Sequence, residues 1–160
     1  VKCAAQTLKR FNSDIEVVAI DENVNDMNIT KLAHDADIIF GCAPLFEERF
    51  ILNDVAIKDN KKLIDCAMYS MVGQVMPILP GITPCLKCIY PEEPAHWKRR
   101  FPVLGAVSAL VAQVGVIEGI KLLCDFDNAS LGKLVRIDAS SMDVRKIKLI
   151  SKREDCMACG

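Results

Sequence analysis

Two Cys-x-x-Cys pairs constrain this chain more than anything else in it: Cys85 and Cys88 in "TPCLKC", and Cys156 and Cys159 in the closing "DCMACG". A knuckle of this spacing lets two thiolates reach one cation from a single tight turn, and four thiolates complete the tetrahedron of a closed structural zinc site. The pairs are distant in sequence, so a shared ion would staple the tail to the middle of the fold. Sulfur ligands suit iron as well as zinc. The same residues also admit a redox reading, in which one or both pairs cycle as disulfides, and a bland one of two unlinked reduced dithiols. Gly160, directly after Cys159, is expected to supply a positive φ for the second turn.

Eight cysteines would suit a secreted disulfide scaffold in a core-poor chain, but 51% of these 160 residues are apolar, enough for one real core. The reading is therefore a single cytosolic domain over 1–160, with Cys3, Cys42, Cys66 and Cys124 as small buried hydrophobes. A net charge of −1 gives no global reason to expect nucleic acid or an anionic membrane as partner. The opening "VKCAAQTLKRFN" is no signal peptide: Val1, Ala4, Ala5, Leu8 and Phe11 recur at helical spacing, so the chain is read as starting inside a structural element.

Downstream, "IEVVAI", "ADIIFGC" and "KKLIDCAMY" read as strands separated by the helical stretches "DMNITKLAHD" and "FEERFILNDVAIKDN", an alternation that implies parallel pairing. "GQVMPILPG" follows without an intervening helix and extends the sheet as a hairpin. "VLGAVSALVAQVGVIEGIKLLC" is expected to be a buried helix. Gly105, Ala109, Ala112 and Gly119 would admit close neighbours, while Glu118 and Lys121 argue against a membrane span. "GKLVRIDAS" and "DVRKIKLI" read as two strands joined by a tight "SM" link. The fold class is thus α/β, a mixed sheet flanked by helices, with residues 90–102 as the one linker-like stretch.

No G-x-G-x-x-G, Walker-type loop or H-E-x-x-H occurs. His34 and His96 are read as surface residues and "HWKRR" as a solvated loop. Glu47 and Glu48 suit a helix start. Ligands of open α/β sheets bind beyond the carboxyl ends of strands, which directs attention to the turn "GCAPLFEER".

Together the helix "AAQTLKRFN", the strand-turn-helix "DIIFGCAPLFEERFILND", "GQVMPILPG", "PCLKC", "EGIKLL" and "DCMACG" resemble the C-terminal part of the ubiquitin-activating-enzyme-like superfamily, the ThiF, MoeB and HesA group of adenylyltransferases. The resemblance spans nearly the whole chain. It implies a Rossmann-like sheet, ATP with Mg2+, adenylation of the C-terminal carboxylate of a ubiquitin-like or sulfur-carrier protein, a homodimer, and zinc on Cys85, Cys88, Cys156 and Cys159. Arg49 and Asn53 match polar positions that line the family's pocket, and as a pocket residue Arg49 is expected to tolerate Arg49→Ala with little change in melting. Three departures accompany the likeness. The glycine-rich nucleotide loop would lie upstream of the point matching Val1, so this stretch alone is not expected to turn over ATP. Pro44 and Leu45 stand where the family usually has Asp-Asn. The crossover stretch "AHWKRRFPVLG" lacks the cysteine of thioester-forming members. These departures mark a divergent branch, with a non-catalytic zinc-stabilised interaction or dimerisation module as the alternative function.

Overall fold

A strand covered on both faces loses its apolar–polar alternation, and "KLIDCAM" is such a run. In the computed structural model, which describes all residues except 96 and 99, this run is β2 (Lys62–Tyr69). It is the second strand of a five-stranded mixed sheet in the order β1-β2-β3-β4-β5. β1 (Ile38–Gly41) pairs with it in parallel, Gly41 standing opposite Asp65. β3 (Val72–Ile78) returns antiparallel after a turn in which Ser70 takes a φ of 55°. β4 (Lys133–Asp138) and β5 (Asp143–Lys148) complete the sheet, both antiparallel.

The first connection, from β1 to β2, runs through α3 (Phe46–Lys58), which begins with Glu47 and Glu48 where acidic side chains favour the positive end of the helix dipole. With the short α4 (Leu86–Ile89) it covers one face, over Leu63, Met76 and Ile78. The opposite face, with Ile64, Cys66, Val75, Val135 and Ile137, is covered by α5 (Gly105–Leu123). Successive β2 residues therefore serve opposite cores: Leu63 and Asp65 face α3, Ile64 and Cys66 face α5. The remaining helices are α1 (Lys2–Phe11) and α2 (Ile29–Ala33).

Several elements differ from expectation. The segment 15–20 forms no strand, and Ile15, Val18 and Ile20 are exposed: β-branched residues favour extended backbone, but a strand needs a neighbour to take its N–H and C=O groups. α1 forms as expected yet buries none of its residues. α5 is only half buried. Although it is long and apolar enough to cross a membrane, Val107, Val111, Gly115, Gly119 and Leu122 pack on the sheet while Leu110, Val116, Ile117, Ile120 and Leu123 face outward. Close approach falls on Gly115 and Gly119, whereas Gly105, Ala109 and Ala112 are exposed. A Cβ on Gly119 would sit 2.5 Å from the Phe40 ring. The β4–β5 link is residues 139–142, with Met142 at a φ of 59° and Asp138 accepting from the Ser140 N–H and hydroxyl. All of β5 is exposed, and Arg145, Lys146 and Lys148 discourage edge-to-edge pairing.

Candidate functional site

The knuckle at Cys85 forms because α4 is one turn long: Cys85 caps it in extended backbone, and the Cys88 N–H donates to the Cys85 carbonyl at 3.1 Å. Asn53 of α3, fully buried, accepts the Leu86 N–H at 2.8 Å, and Lys87 pairs with Asp54 at 2.6 Å, so α3 sets the direction of this turn. The second knuckle closes through the Gly160 N–H to the Cys156 carbonyl at 2.9 Å. Gly160 does not adopt a positive φ. It is glycine for space, since a Cβ would collide with backbone atoms of Glu154 and Cys156.

The two turns bring their sulfurs together. Cys85 Sγ lies 3.9 Å from Cys88 and 3.6 Å from Cys156, Cys88 lies 3.4 Å from Cys159, and all four fall within 4.8 Å of one another. A tetrahedron of thiolates about 2.3 Å from zinc has edges of about 3.8 Å, which this cluster matches. The separations are too long for disulfide bonds, and all four thiols are free. Their titration is uneven. Burial pushes Cys85 up to about 11. Cys159 is also raised, by burial and then by the Cys88 and Cys85 thiols. At Cys156 burial acts upward, but backbone N–H groups of Ala158 and Cys159 outweigh it and hold the thiol near 7. Four negative sulfurs this close need a cation to coexist, so the residues fit a metal ion.

A second locus lies beyond the carboxyl end of parallel β2, where α/β sheets bind ligands. A cavity of about 500 Å³ opens there, lined by Phe46, Arg49, Tyr69, Tyr90, Trp97 and Arg136 among others. Its wall is aromatic. Phe46 meets Tyr90 and Trp97 edge-on at 5.1 and 5.3 Å, and Tyr69 contacts Trp97 at 5.8 Å. Trp97 also donates its indole N–H to the Pro44 carbonyl at 2.9 Å, which ties Trp97 to the β1–α3 turn.

Arg49 sits at the inner end of this cavity and is buried. Its guanidinium donates to both Asp65 oxygens, Nε to Oδ1 at 2.9 Å and Nη2 to Oδ2 at 2.6 Å, and stacks over Phe46 at 4.4 Å. This geometry argues against the expectation that Arg49→Ala would leave melting unchanged, because truncation would strand a buried carboxylate. Of the two pocket candidates, Arg49 lines the cavity, whereas the Asn53 amide is engaged with the knuckle. Glu118 is the other buried acid, accepting from the Ser130 N–H at 2.6 Å, its hydroxyl at 3.0 Å and Lys121 at 2.9 Å.

His34 is a surface residue paired with Asp35. His96 lies outside the described residues, as does Arg99 of the basic cluster. The expected burial of four further cysteines holds for Cys66 alone. Cys3, Cys42 and Cys124 are exposed, because apolar neighbours in sequence do not fix which way a side chain at an element's end points. Sequence reasoning missed Asp65 and the aromatic wall. The signal for Asp65 was present, since an acid inside an apolar strand demands a cationic partner.

A family model described as the ThiF family matches residues 1–158. Protein HesA, heterocyst, of Trichormus variabilis is 38% identical over 157 residues, covering 98% of this chain and 58% of that protein. Adenylyltransferase and sulfurtransferase MOCS3-1 of Drosophila pseudoobscura pseudoobscura is 29% identical, over 96% of this chain and 35% of that one. Among solved structures, E. coli MccB with ATP superposes with a TM-score of 0.80 at 20% identity, covering 99% of this chain and 49% of that chain. MccB has also been solved with AMPCPP and MccA, again at a TM-score of 0.80. The chain therefore spans little more than half the length of the HesA relative it matches, and that likeness to MccB is one of fold.

Proposed function

Because the chain belongs to the ThiF family, with an adenylyltransferase-like fold, we propose that the whole protein activates a carboxylate with ATP, and that this portion supplies the acceptor side of the site and its zinc staple. In that reaction a carboxylate oxygen attacks the α-phosphorus, pyrophosphate leaves, and an acyl adenylate remains. The acceptor is the carboxyl terminus of a ubiquitin-like or sulfur-carrier protein, or a small carboxylic acid. The reading is supported by the position of the cavity beyond the carboxyl end of β2, where Arg136 brings positive charge to a partly aromatic wall while the Arg49 charge is answered by Asp65. Relatives point the same way, since MccB has been solved with ATP and with MccA. Zinc is the ion proposed for the four thiols, and a homodimer, with Mg2+ accompanying ATP, belongs to the same proposal.

A second reading is favoured by one observation. Pro44 and Leu45 occupy the β1–α3 turn, and the Pro44 carbonyl is engaged by Trp97, so this turn offers no carboxylate to a metal–nucleotide complex. The alternative is a non-catalytic interaction module that keeps the sheet and the staple.

Pyrophosphate exchange by the full-length protein, run with small acids and carrier proteins, separates the two. Acceptor-dependent exchange supports activation, and its absence with every acceptor favours the module. Trp97 is the sole tryptophan of these 160 residues and lines the cavity, so an emission change on adding the same acceptors that Trp97→Phe abolishes locates their binding. Exchange without any Trp97 response would place the acceptor elsewhere.

A further inference from the structure

Cys42 and Cys66 are neighbours that the proposed activation chemistry does not use. Gly41 stands opposite Asp65 at the end of the parallel β1–β2 pair, and Cys42 and Cys66 are the residues that directly follow these two, which puts them at neighbouring positions across the two segments. Adjacent strands lie about 4.8 Å apart. That is within the Cα span of about 4.4–6.8 Å a disulfide requires. Each thiol is the largest influence on the other's titration. Their surroundings differ. Cys42 follows the last residue of β1 and is exposed, while Cys66 is 6% exposed beneath α5. Gly115 of α5 lies directly over it, and a Cβ there would stand 2.5 Å from the Cys66 sulfur. The helix thus seals Cys66 on its far side and leaves Cys42 as the partner that solvent reaches.

We propose that Cys42 and Cys66 form an oxidisable dithiol, a modification site at which a peroxide is reduced and the two sulfurs close into a disulfide. The Cys42 thiolate attacks one peroxide oxygen, an S–O bond forms, the O–O bond breaks, and hydroxide leaves. The sulfur has then lost two electrons, and the peroxide has gained them. Cys66 next attacks the Cys42 sulfenic acid, the S–S bond replaces the S–O bond, and the Cys66 proton leaves with hydroxide as water.

The charges around the pair support this division of labour. The Cys66 thiol draws Cys42 down to about 7, against burial and the nearby Asp65 carboxylate. The Cys42 thiol, and then burial, push Cys66 far above the ordinary thiol range, with Asp65 adding to the rise and Arg49 opposing it. α5 brings Gly115, which carries no charge, to this point. Cys42 is the attacking sulfur and Cys66 the one held protonated until a sulfenic acid forms beside it.

The test is peptide mapping of the full-length, metal-loaded protein, with the exposed Cys3 and Cys124 as internal controls. Hydrogen peroxide should yield a Cys42–Cys66 disulfide in the wild type. In Cys66→Ala it should instead leave a sulfenic acid on Cys42 that a dimedone-type reagent traps. Iodoacetamide should modify Cys42 with a midpoint near pH 7. In Cys66→Ala that midpoint should rise by about 1.5 units, towards the ordinary value of about 8.5. At pH 7 a larger thiolate fraction is partly offset by weaker nucleophilicity, so wild-type Cys42 should react about threefold faster than an ordinary thiol. If Cys66→Ala fails to fold, Cys42→Ser at the exposed position serves: peroxide should then leave Cys66 untouched. Matching rates and midpoints for Cys42, Cys3 and Cys124, no disulfide between Cys42 and Cys66, or direct oxidation of Cys66 in Cys42→Ser would overturn the proposal.

Discussion

The buried pair of Arg49 and Asp65 offers the sharpest quantitative test of this structure. Both side chains are almost fully desolvated, at 1% and 3% exposure, and two hydrogen bonds join them. Removing one member of such a pair costs about 3–5 kcal/mol, because the partner's charge stays buried without compensation. Unfolding entropy is about 2.1 cal/mol/K per residue, or roughly 0.34 kcal/mol/K over this chain if it unfolds as one unit. Arg49→Ala and Asp65→Ala should therefore each lower Tm by about 9–15 °C. The double change Arg49→Met with Asp65→Leu should recover most of that loss, since apolar replacements of similar volume remove the desolvation cost together with the attraction. Thermal and urea melts of wild type, Arg49→Met, Asp65→Leu and this double variant complete a double-mutant cycle whose coupling energy isolates the pair. A shift below about 2 °C for Arg49→Ala would mean that water screens the pair. A double variant as unstable as the sum of the singles would mean that the two residues act independently.

Cys156→Ser should reduce bound metal and lower Tm further than Arg49→Ala does, because a structural zinc contributes about 10–16 kcal/mol of binding energy in small fingers. A strong chelator should bring the wild type towards the same melting point, and elemental analysis checks both. Glu118→Gln should cost about 1–3 kcal/mol at neutral pH, read by urea denaturation, since the buried carboxylate serves three donors. Burial raises the Glu118 pKa, but the Ser130 N–H and Lys121 outweigh it, so the folded value is depressed. Its contribution is therefore full above the unfolded carboxyl range near about 4.3 and is lost as pH falls through the folded value, so wild type and variant should converge in acid. Gly73→Ala should cost about 1–3 kcal/mol in the same assay, because a Cβ there overlaps the Val111 side chain, which is stiff at χ1 in α5.

What could be read from sequence follows the range of the physics involved. The alternation of "ADIIFGC", "FEERFILNDVAIK" and "KKLIDCAMY" becomes β1, α3 and β2, because hydrophobic period and helix-start charge act within one or two turns. "IEVVAI" has the same local preference yet makes no ladder, since pairing depends on a neighbour the segment cannot specify. The long apolar run of α5 was legible as a helix, but which half of it meets the sheet was not.

By itself the sequence pointed to the four thiols of the candidate metal site and to the alternation around β1, α3 and β2, because Cys spacing and hydrophobic period are written in neighbouring residues, and its motifs carried the resemblance to the family. Only the tertiary structure decided that Arg49 answers Asp65, that Asn53 holds a knuckle, and that Trp97 walls a cavity against Pro44. Those contacts join residues 16, 33 and 53 positions apart, and side chains so separated meet only after the sheet has set their register.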